Sequence, residues 1–308
     1  MPSRGQSRYS LRQNLMSDLS PVVPVPSSAL PGAERDLLPP PWVGDLLGQS
    51  DRFRLASVRV PGATALDRVA FHDATVHAYR RLEAELRGGQ ALHPVRLWNH
   101  IPGIHDALGD GLDRYRVFNA GRFEALSQWY GGNESFDTRV ASASGVGHDG
   151  EDLVVHCLAA DRPGRPVVNP RQIAPYRYSC KFGPKPPCFA RATVIQPDDG
   201  APLVLVGGTA SIVGEESVHP GNLARQMEET LTNLSVLLGE AAGKPSSPAS
   251  LETFRELRVY HPDLRQRREL RLLLEEAVGR RVPIEWVRAD LCRSELLVEI
   301  EGVAELAG

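Results

Sequence analysis

Two adjacent carboxylates, Glu215 and Glu216, close a run that begins Leu203-Val204-Leu205-Val206-Gly207-Gly208-Thr209-Ala210-Ser211. An apolar run of strand type that breaks into glycines and small polar residues can floor a pocket and deliver an acid into it. Such an acid can donate a proton near neutral pH if burial raises it above the usual glutamate pKa of about 4.3. Otherwise Glu216 is a solvated loop residue, and the residues alone leave both readings open. Ahead of this run, Arg171-Gln172, Tyr176-Arg177-Tyr178, Lys181 and Arg191 interleave aromatic and basic side chains. That pattern suits a nucleic-acid strand or a small dianion. A formal net charge of −3 favours the dianion. Arg122 is the one charge on an apolar helical stripe of Tyr115, Phe118, Ala125 and Trp129. It either snorkels at the edge of the stripe or faces inward toward an anionic ligand.

Other chemistries are disfavoured. The 35 basic and 38 acidic residues give no nucleic-acid footprint and no polybasic membrane anchor. No apolar run approaches the length that spans a bilayer. The beginning of the sequence is rich in Ser, Arg and Pro and lacks an apolar signal core, so a cytoplasmic location is expected. The four cysteines lack a CxxC pair, and the nine histidines lack metal spacing. Reduced, mostly buried thiols are expected, with no metal and no cofactor. P-loop and GxGxxG motifs are absent as well.

The elements that must position these residues follow from periodicity. Residues 1–50, with Pro21-Val22-Val23-Pro24-Val25-Pro26 and Pro39-Pro40-Pro41, are expected to make no regular helix. Arg52–Val60 alternates as a strand. His72–Arg87 reads as a helix with Val76, Tyr79, Leu82 and Leu86 on one face, ended by Gly88-Gly89. Val95–Ile101 is a strand and Asp113–Tyr130 a helix; Phe136–Val146 and Asp152–Ala159 are strands. The second half repeats that order, with a helix at Asn222–Glu240, a strand at Phe254–Tyr260, a helix at Asp263–Val278, and strands at Ile284–Leu291 and Leu296–Val303. Each half reads as one mixed sheet with two helices on one face, a duplicated α+β architecture. The domains are expected at residues 51–182 and 183–308, after the lead-in of residues 1–50.

The second half resembles the Rid/YjgF family of small trimeric proteins, which have a chorismate-mutase-like fold. The matching residues are Gly183-Pro184, Phe189-Ala190-Arg191-Ala192, Leu205-Val206-Gly207-Gly208-Thr209, the helix from Gln226 to Leu234, and Leu297-Val298-Glu299-Ile300-Glu301-Gly302. The first half is similar to a diverged copy. In it Arg139 falls where that family keeps its carboxylate-binding arginine, while Glu285 stands near the equivalent place in the second half. The tandem pair resembles the chorismatase family. The residues that carry this are Leu97-Trp98-Asn99, Phe118-Asn119-Ala120-Gly121-Arg122, Asn169-Pro170-Arg171-Gln172, Tyr176-Arg177-Tyr178, Phe182-Gly183-Pro184, Phe189-Ala190-Arg191-Ala192 and the run from Gly208 to Ser217.

That resemblance implies cleavage of chorismate to pyruvate and a cyclic product. The product is 3- or 4-hydroxybenzoate or 3,4-dihydroxycyclohexa-1,5-diene carboxylate. The implied acid maps onto Glu216, which would protonate the methylene of the enol ether. Members that form 3-hydroxybenzoate carry a cysteine in the stretch before the acid, a position placed here at Thr209. Arg191 and Arg139, then Arg122 and Lys181, would clamp the two substrate carboxylates. Tyr176, Tyr178 and Tyr130 would hydrogen-bond or pack against the ring, though Tyr130 also suits a core position. Gly208 and Thr209, with Ala141, Ser144 and Gly145, would form small pocket walls. The alternatives are a Rid-like imine or enamine deaminase and a non-catalytic small-ligand-binding protein. Two fused copies suit a monomer or a small homo-oligomer.

Overall fold

A computed structural model describes residues 32–88, 92–198, 200–245, 247–279 and 281–306. The expectations for Pro21–Pro26 and for Gly89 lie outside these residues. The described chain contains two mixed sheets packed against each other, each covered by helices on its outer face. β1 (Phe53–Val60), β2 (His93–Pro102), β3 (Ser142–His148) and β4 (Leu153–Ala160) form the first sheet in the order β1-β4-β2-β3. Strands β5 (Arg165–Val167), β6 (Ala192–Ile195), β7 (Leu203–Ala210), β10 (Phe254–His261), β11 (Ile284–Arg288) and β12 (Glu299–Glu305) form the second, in the order β11-β10-β12-β7-β6-β5. A two-stranded hairpin, β8 (Ile212–Val213) with β9 (Glu216–Ser217), stands apart from both.

The duplication read from element order is present in the strand pairing. In the first sheet β1 and β2 flank β4 antiparallel, and β2 pairs β3 in parallel. In the second, β7 and β10 flank β12 antiparallel, and β10 pairs β11 in parallel. A helix bridges corresponding strands in each half. The long helices are α1 (Trp42–Gln49), α2 (Arg68–Arg87), α3 (Arg114–Tyr130), α4 (Leu223–Ala241) and α5 (Arg267–Val278). Their starts are set by local chemistry: Asp67, Asp113 and Asn222 each accept a backbone N–H three residues on, at 2.8–3.0 Å. Gly131 ends α3 at φ 78°, in the left-handed region that glycine enters without strain.

Three sequence expectations are corrected. The lead-in holds regular structure after all: a turn of helix at Gly32–Arg35 and the helix α1, which follows Pro39-Pro40-Pro41. Pro41 stands just before its first turn, where a missing N–H costs nothing. Trp42 of α1 packs against Trp98 at 5.7 Å between ring centroids. The strand expected from Phe136 is a one-turn helix, Phe136–Arg139, with β3 beginning only at Ser142. Finally, β5 precedes the expected 182/183 boundary yet pairs with β6 of the second sheet.

The core has three main layers. One lies under α2 and α3, one under α4 and α5, and one between the sheets around Trp98, Val95, Leu158, Leu205 and Val303. Because both faces of each central strand are covered, β2 and β4 are buried along nearly their whole length. Among the described residues, no helix is long and apolar enough to cross a membrane.

Candidate active site

A cavity of about 270 Å³ opens between α3, the β3 end of the first sheet, the β7–β12 pair and the hairpin β8–β9. A β-bulge shapes its floor. Along β12 and β7, Ile300 pairs with Thr209 but Gly302 pairs with Val206, so Gly207 and Gly208 together oppose Glu301. The extra residue turns Gly208 toward the cavity and Thr209 away from it, beside Ile300 of the helix-covered core. Thr209 is buried, with its hydroxyl donating to the Gly207 carbonyl at 3.0 Å. A Cβ at position 208 would lie 2.7 Å from Cδ of Glu299 and 3.2 Å from Oγ of Ser144. Glycine is what leaves room for that carboxyl group. Gly208→Ala is expected to abolish activity while the protein remains folded, which turnover and circular dichroism together would check.

The structure brings Glu216, Arg191, Arg122, Tyr178, Lys181 and Gly208 to this cavity, and places Arg139, Tyr130, Tyr176 and Thr209 elsewhere. Arg139 is exposed, donates to the Tyr130 carbonyl at 3.2 Å and lies over the Tyr130 ring. Tyr130 itself is a core residue between Trp129 and Phe136. The Tyr176 hydroxyl donates to Asp137 at 2.7 Å. Glu285 pairs with Arg258 at 2.6 Å.

Arg122 takes the inward orientation. It is 1 % exposed, donates to Asn119 at 2.8 Å and stacks over Phe118 and Phe189. Arg191 is also buried and donates to the Tyr178 hydroxyl at 2.6 Å. Each has a buried Nε without a hydrogen-bond acceptor, and among the described residues neither guanidinium is ion-paired with a carboxylate. A buried charge with no counter-ion costs several kcal/mol unless something anionic completes it. Arg293 adds a further cation at the cavity, stacked 4.1 Å over Phe182 and donating to Ser217 at 3.0 Å.

The two carboxylates at the cavity differ in kind. Glu216 is 53 % exposed and ion-paired with Lys181 at the mouth, in β9 of the hairpin. Glu299 lies on β12 at the floor, 4 % exposed. Burial, and then the charge of Glu301, push its pKa up to about 8. Beside it, Cys292 is a free thiol whose pKa burial raises to about 12. Tyr115, whose ionisation burial also disfavours, completes the wall toward α3.

Sequence reasoning assigned no role to Glu299, Cys292, Tyr115 or Arg293. A signal for Glu299 was nonetheless present: Glu299 and Glu301 stand two apart in an otherwise apolar strand, hence on one face. Carboxylates buried on a strand face call for a pairing or a chemical role.

Residues 47–159 match the family model described as chorismatase FkbO/Hyg5-like, N-terminal. The chain is 35% identical over 215 residues to a 3-hydroxybenzoate synthase from Streptomyces hygroscopicus, covering 68% of this chain and 62% of that protein. It is 35% identical over 217 residues to a chorismatase from Streptomyces rapamycinicus, covering 68% of this chain and 63% of the relative. The alignments thus span less than two thirds of these relatives' own length. A crystal structure of a chorismatase superposes with a TM-score of 0.73 at 28% identity, covering 83% of this chain and 75% of the other.

Proposed function

Because this chain is related to the chorismatase family, we propose that it cleaves the enolpyruvyl ether of chorismate, releasing pyruvate and 3-hydroxybenzoate, with Glu299 as the proton donor. The observation that carries this reading is the meeting, in one cavity, of a buried carboxyl whose neutral form burial favours with two buried guanidiniums that among the described residues have no carboxylate counter-ion. Chorismate has two carboxylates and an acid-labile enol ether, and this site offers cations for the first and a proton for the second.

Arg191 and Arg122 hold the carboxylates, and Tyr178 orients Arg191 through its hydroxyl. Glu299 gives its proton to the methylene carbon, which becomes a methyl group on an oxocarbenium ion. The oxygen of the neighbouring ring hydroxyl attacks the ring carbon that bears the ether. The ring C–O bond breaks with its electron pair going to the departing oxygen, and pyruvate leaves as the keto acid. The resulting oxide, whose oxygen keeps the hydroxyl proton, opens at the 4-position so that the hydroxyl stays at the 3-position. Loss of the ring C–H proton to the Glu299 carboxylate restores both the acid and aromaticity. No water is consumed, because the two products together contain the atoms of chorismate.

Product choice turns on keeping water away from the oxocarbenium ion. With Glu299 as the acid, the stretch that precedes it contains Cys292, the residue type that the family resemblance associates with 3-hydroxybenzoate. The S. hygroscopicus relative of that name supports the same product. Cys292→Ala is expected to divert at least about half of the product toward the diene diol, because the vacated thiol volume admits a water. Chromatography of the second product would check this.

The reading is tested by incubating the protein with chorismate and following pyruvate with lactate dehydrogenase. Pyruvate at no more than the spontaneous rate would sink it. Glu216→Gln is expected to change kcat less than about fivefold, since Glu216 stands exposed at the cavity mouth with its carboxylate engaged by Lys181.

A further inference from the structure

Glu299 has a partner in sequence that the reaction does not use. Glu301 lies on the same face of β12, 1 % exposed, directly opposite the Gly207-Gly208 bulge. Its carboxylate is fully engaged by the first sheet. Arg96 of β2 donates to it at 2.6 Å, Trp98 Nε1 donates at 2.9 Å, and the Ser144 hydroxyl of β3 donates to the oxygen that Arg96 also binds. Arg96 further donates to Ser144 at 2.6 Å and to the Leu97 carbonyl at 2.8 Å. The same Ser144 Oγ flanks the space that a side chain at Gly208 would share with the Glu299 carboxyl. The cluster thus sits between the acid and the packed sheet interface and ties β2, β3 and β12 together.

We propose that Glu301, held by Arg96, Trp98 and Ser144, is a positioning residue that keeps Glu299 protonated and aimed into the cavity by claiming the Arg96 guanidinium for itself. This rests on the reading of Glu299 as the acid. Two carboxylates on one strand face are driven to opposite states by their surroundings. One is ion-paired with three donors around it; the other is buried beside that negative charge. The guanidiniums that act on Glu299 are those of Arg96 from β2 and Arg191 ahead of β6, against Glu301 on its own strand; Tyr115 from α3 and Cys292 from the β11–β12 connection also face it, while Arg122, Lys181, Glu216, Arg293 and Glu295 line the same cavity. The guanidiniums favour its ionised form, and Glu301 opposes them by neutralising the one that lies within the sheet interface.

Removing the Glu301 charge alone releases Arg96 toward Glu299. Glu301→Gln is therefore expected to move the basic limb of the kcat/KM profile down by at least about one pH unit. At pH 8, where the parent acid is itself half ionised, that is a loss of about fivefold or more, approaching tenfold at higher pH, with activity recovering as the pH is lowered. The double variant Arg96→Met with Glu301→Gln removes both charges. Its basic limb is expected to return to within about half a unit of the parent, although more of the cluster has been lost. A purely structural role would give the double variant the larger defect, at every pH.

The protonation state is read without substrate by infrared difference spectra of protein labelled with ¹³C-glutamate, the Glu299 carboxyl band being assigned by its loss in Glu299→Gln. A band that titrates lower in Glu301→Gln and returns in the double variant supports the positioning role. An unmoved band and an unmoved limb overturn it. If the parent protein releases no pyruvate but the band still moves as described, the proposed reaction fails and the positioning of Glu299 stands.

Discussion

Glu299→Gln is expected to lower kcat on chorismate by about 10²–10⁴-fold, the usual span for removing a positioned general acid. KM should change little, because glutamine keeps the shape of the side chain and the arginines keep the carboxylates. The sign of the pH dependence follows from the state that reacts. The protonated form is the donor and its pKa is raised to about 8. The rate should therefore hold steady up to about pH 8 and fall about tenfold per unit above it. An acid in the ordinary glutamate range would lose the rate from about pH 4.3 upward. A stability readout checks the same assignment without substrate. A carboxyl whose folded-state pKa is raised contributes stability that is lost as pH rises through the folded value. Thermal melts of Glu299→Gln and the parent should thus diverge progressively from about pH 4.3, where the unfolded chain ionises, to about pH 8 and stay apart by a constant amount above it, with the variant the more stable.

Arg191→Met is expected to raise KM for chorismate at least about a hundredfold, and Arg122→Met to act in the same direction. Among the described residues each buried guanidinium lacks a carboxylate partner and has an unsatisfied Nε. A charge-assisted bidentate bond to a substrate carboxylate is worth enough, in a site of this burial, to account for that factor. The substrate-free variants should melt at the same temperature as the parent or higher, because a volume-matched apolar side chain relieves a buried unpaired charge. Equilibrium binding of a non-reactive dicarboxylate analogue, together with melting curves with and without it, separates loss of binding from loss of folding. Arg139→Met should leave both measurements unchanged, since Arg139 faces solvent away from the cavity.

The amino-acid sequence by itself determined most of the elements and the order in which they repeat, though not the helices of the lead-in or the helical turn at Phe136–Arg139. Period-two alternation, helix stripes and capping residues at Asp113 and Asn222 act within a few residues, so their consequences are written locally. Clusters of short motifs likewise pointed to the arginines of the cavity, and Arg191, Arg122, Tyr178, Lys181 and Gly208 do meet there. The choice of Glu299 as the proposed proton donor rests only on the tertiary structure. Glu216 and Glu299 are both glutamates near a strand, and local pattern favours the one beside the glycine-rich run. What separates them is solvent and neighbours: Lys181 and open water at one, the closed interface of two sheets and the charge of Glu301 at the other. The side of the sheet on which Gly208 and Thr209 lie was decided in the same way. A bulge is a property of strand pairing, and β7 pairs with β12 from the far end of the chain. A one-residue slip in that pairing exchanges the two faces. A pKa set by desolvation and a face set by register both depend on contacts between residues distant in sequence. That is why the run around Glu216 disclosed the pocket floor, while the acid proposed to work on it stands on β12.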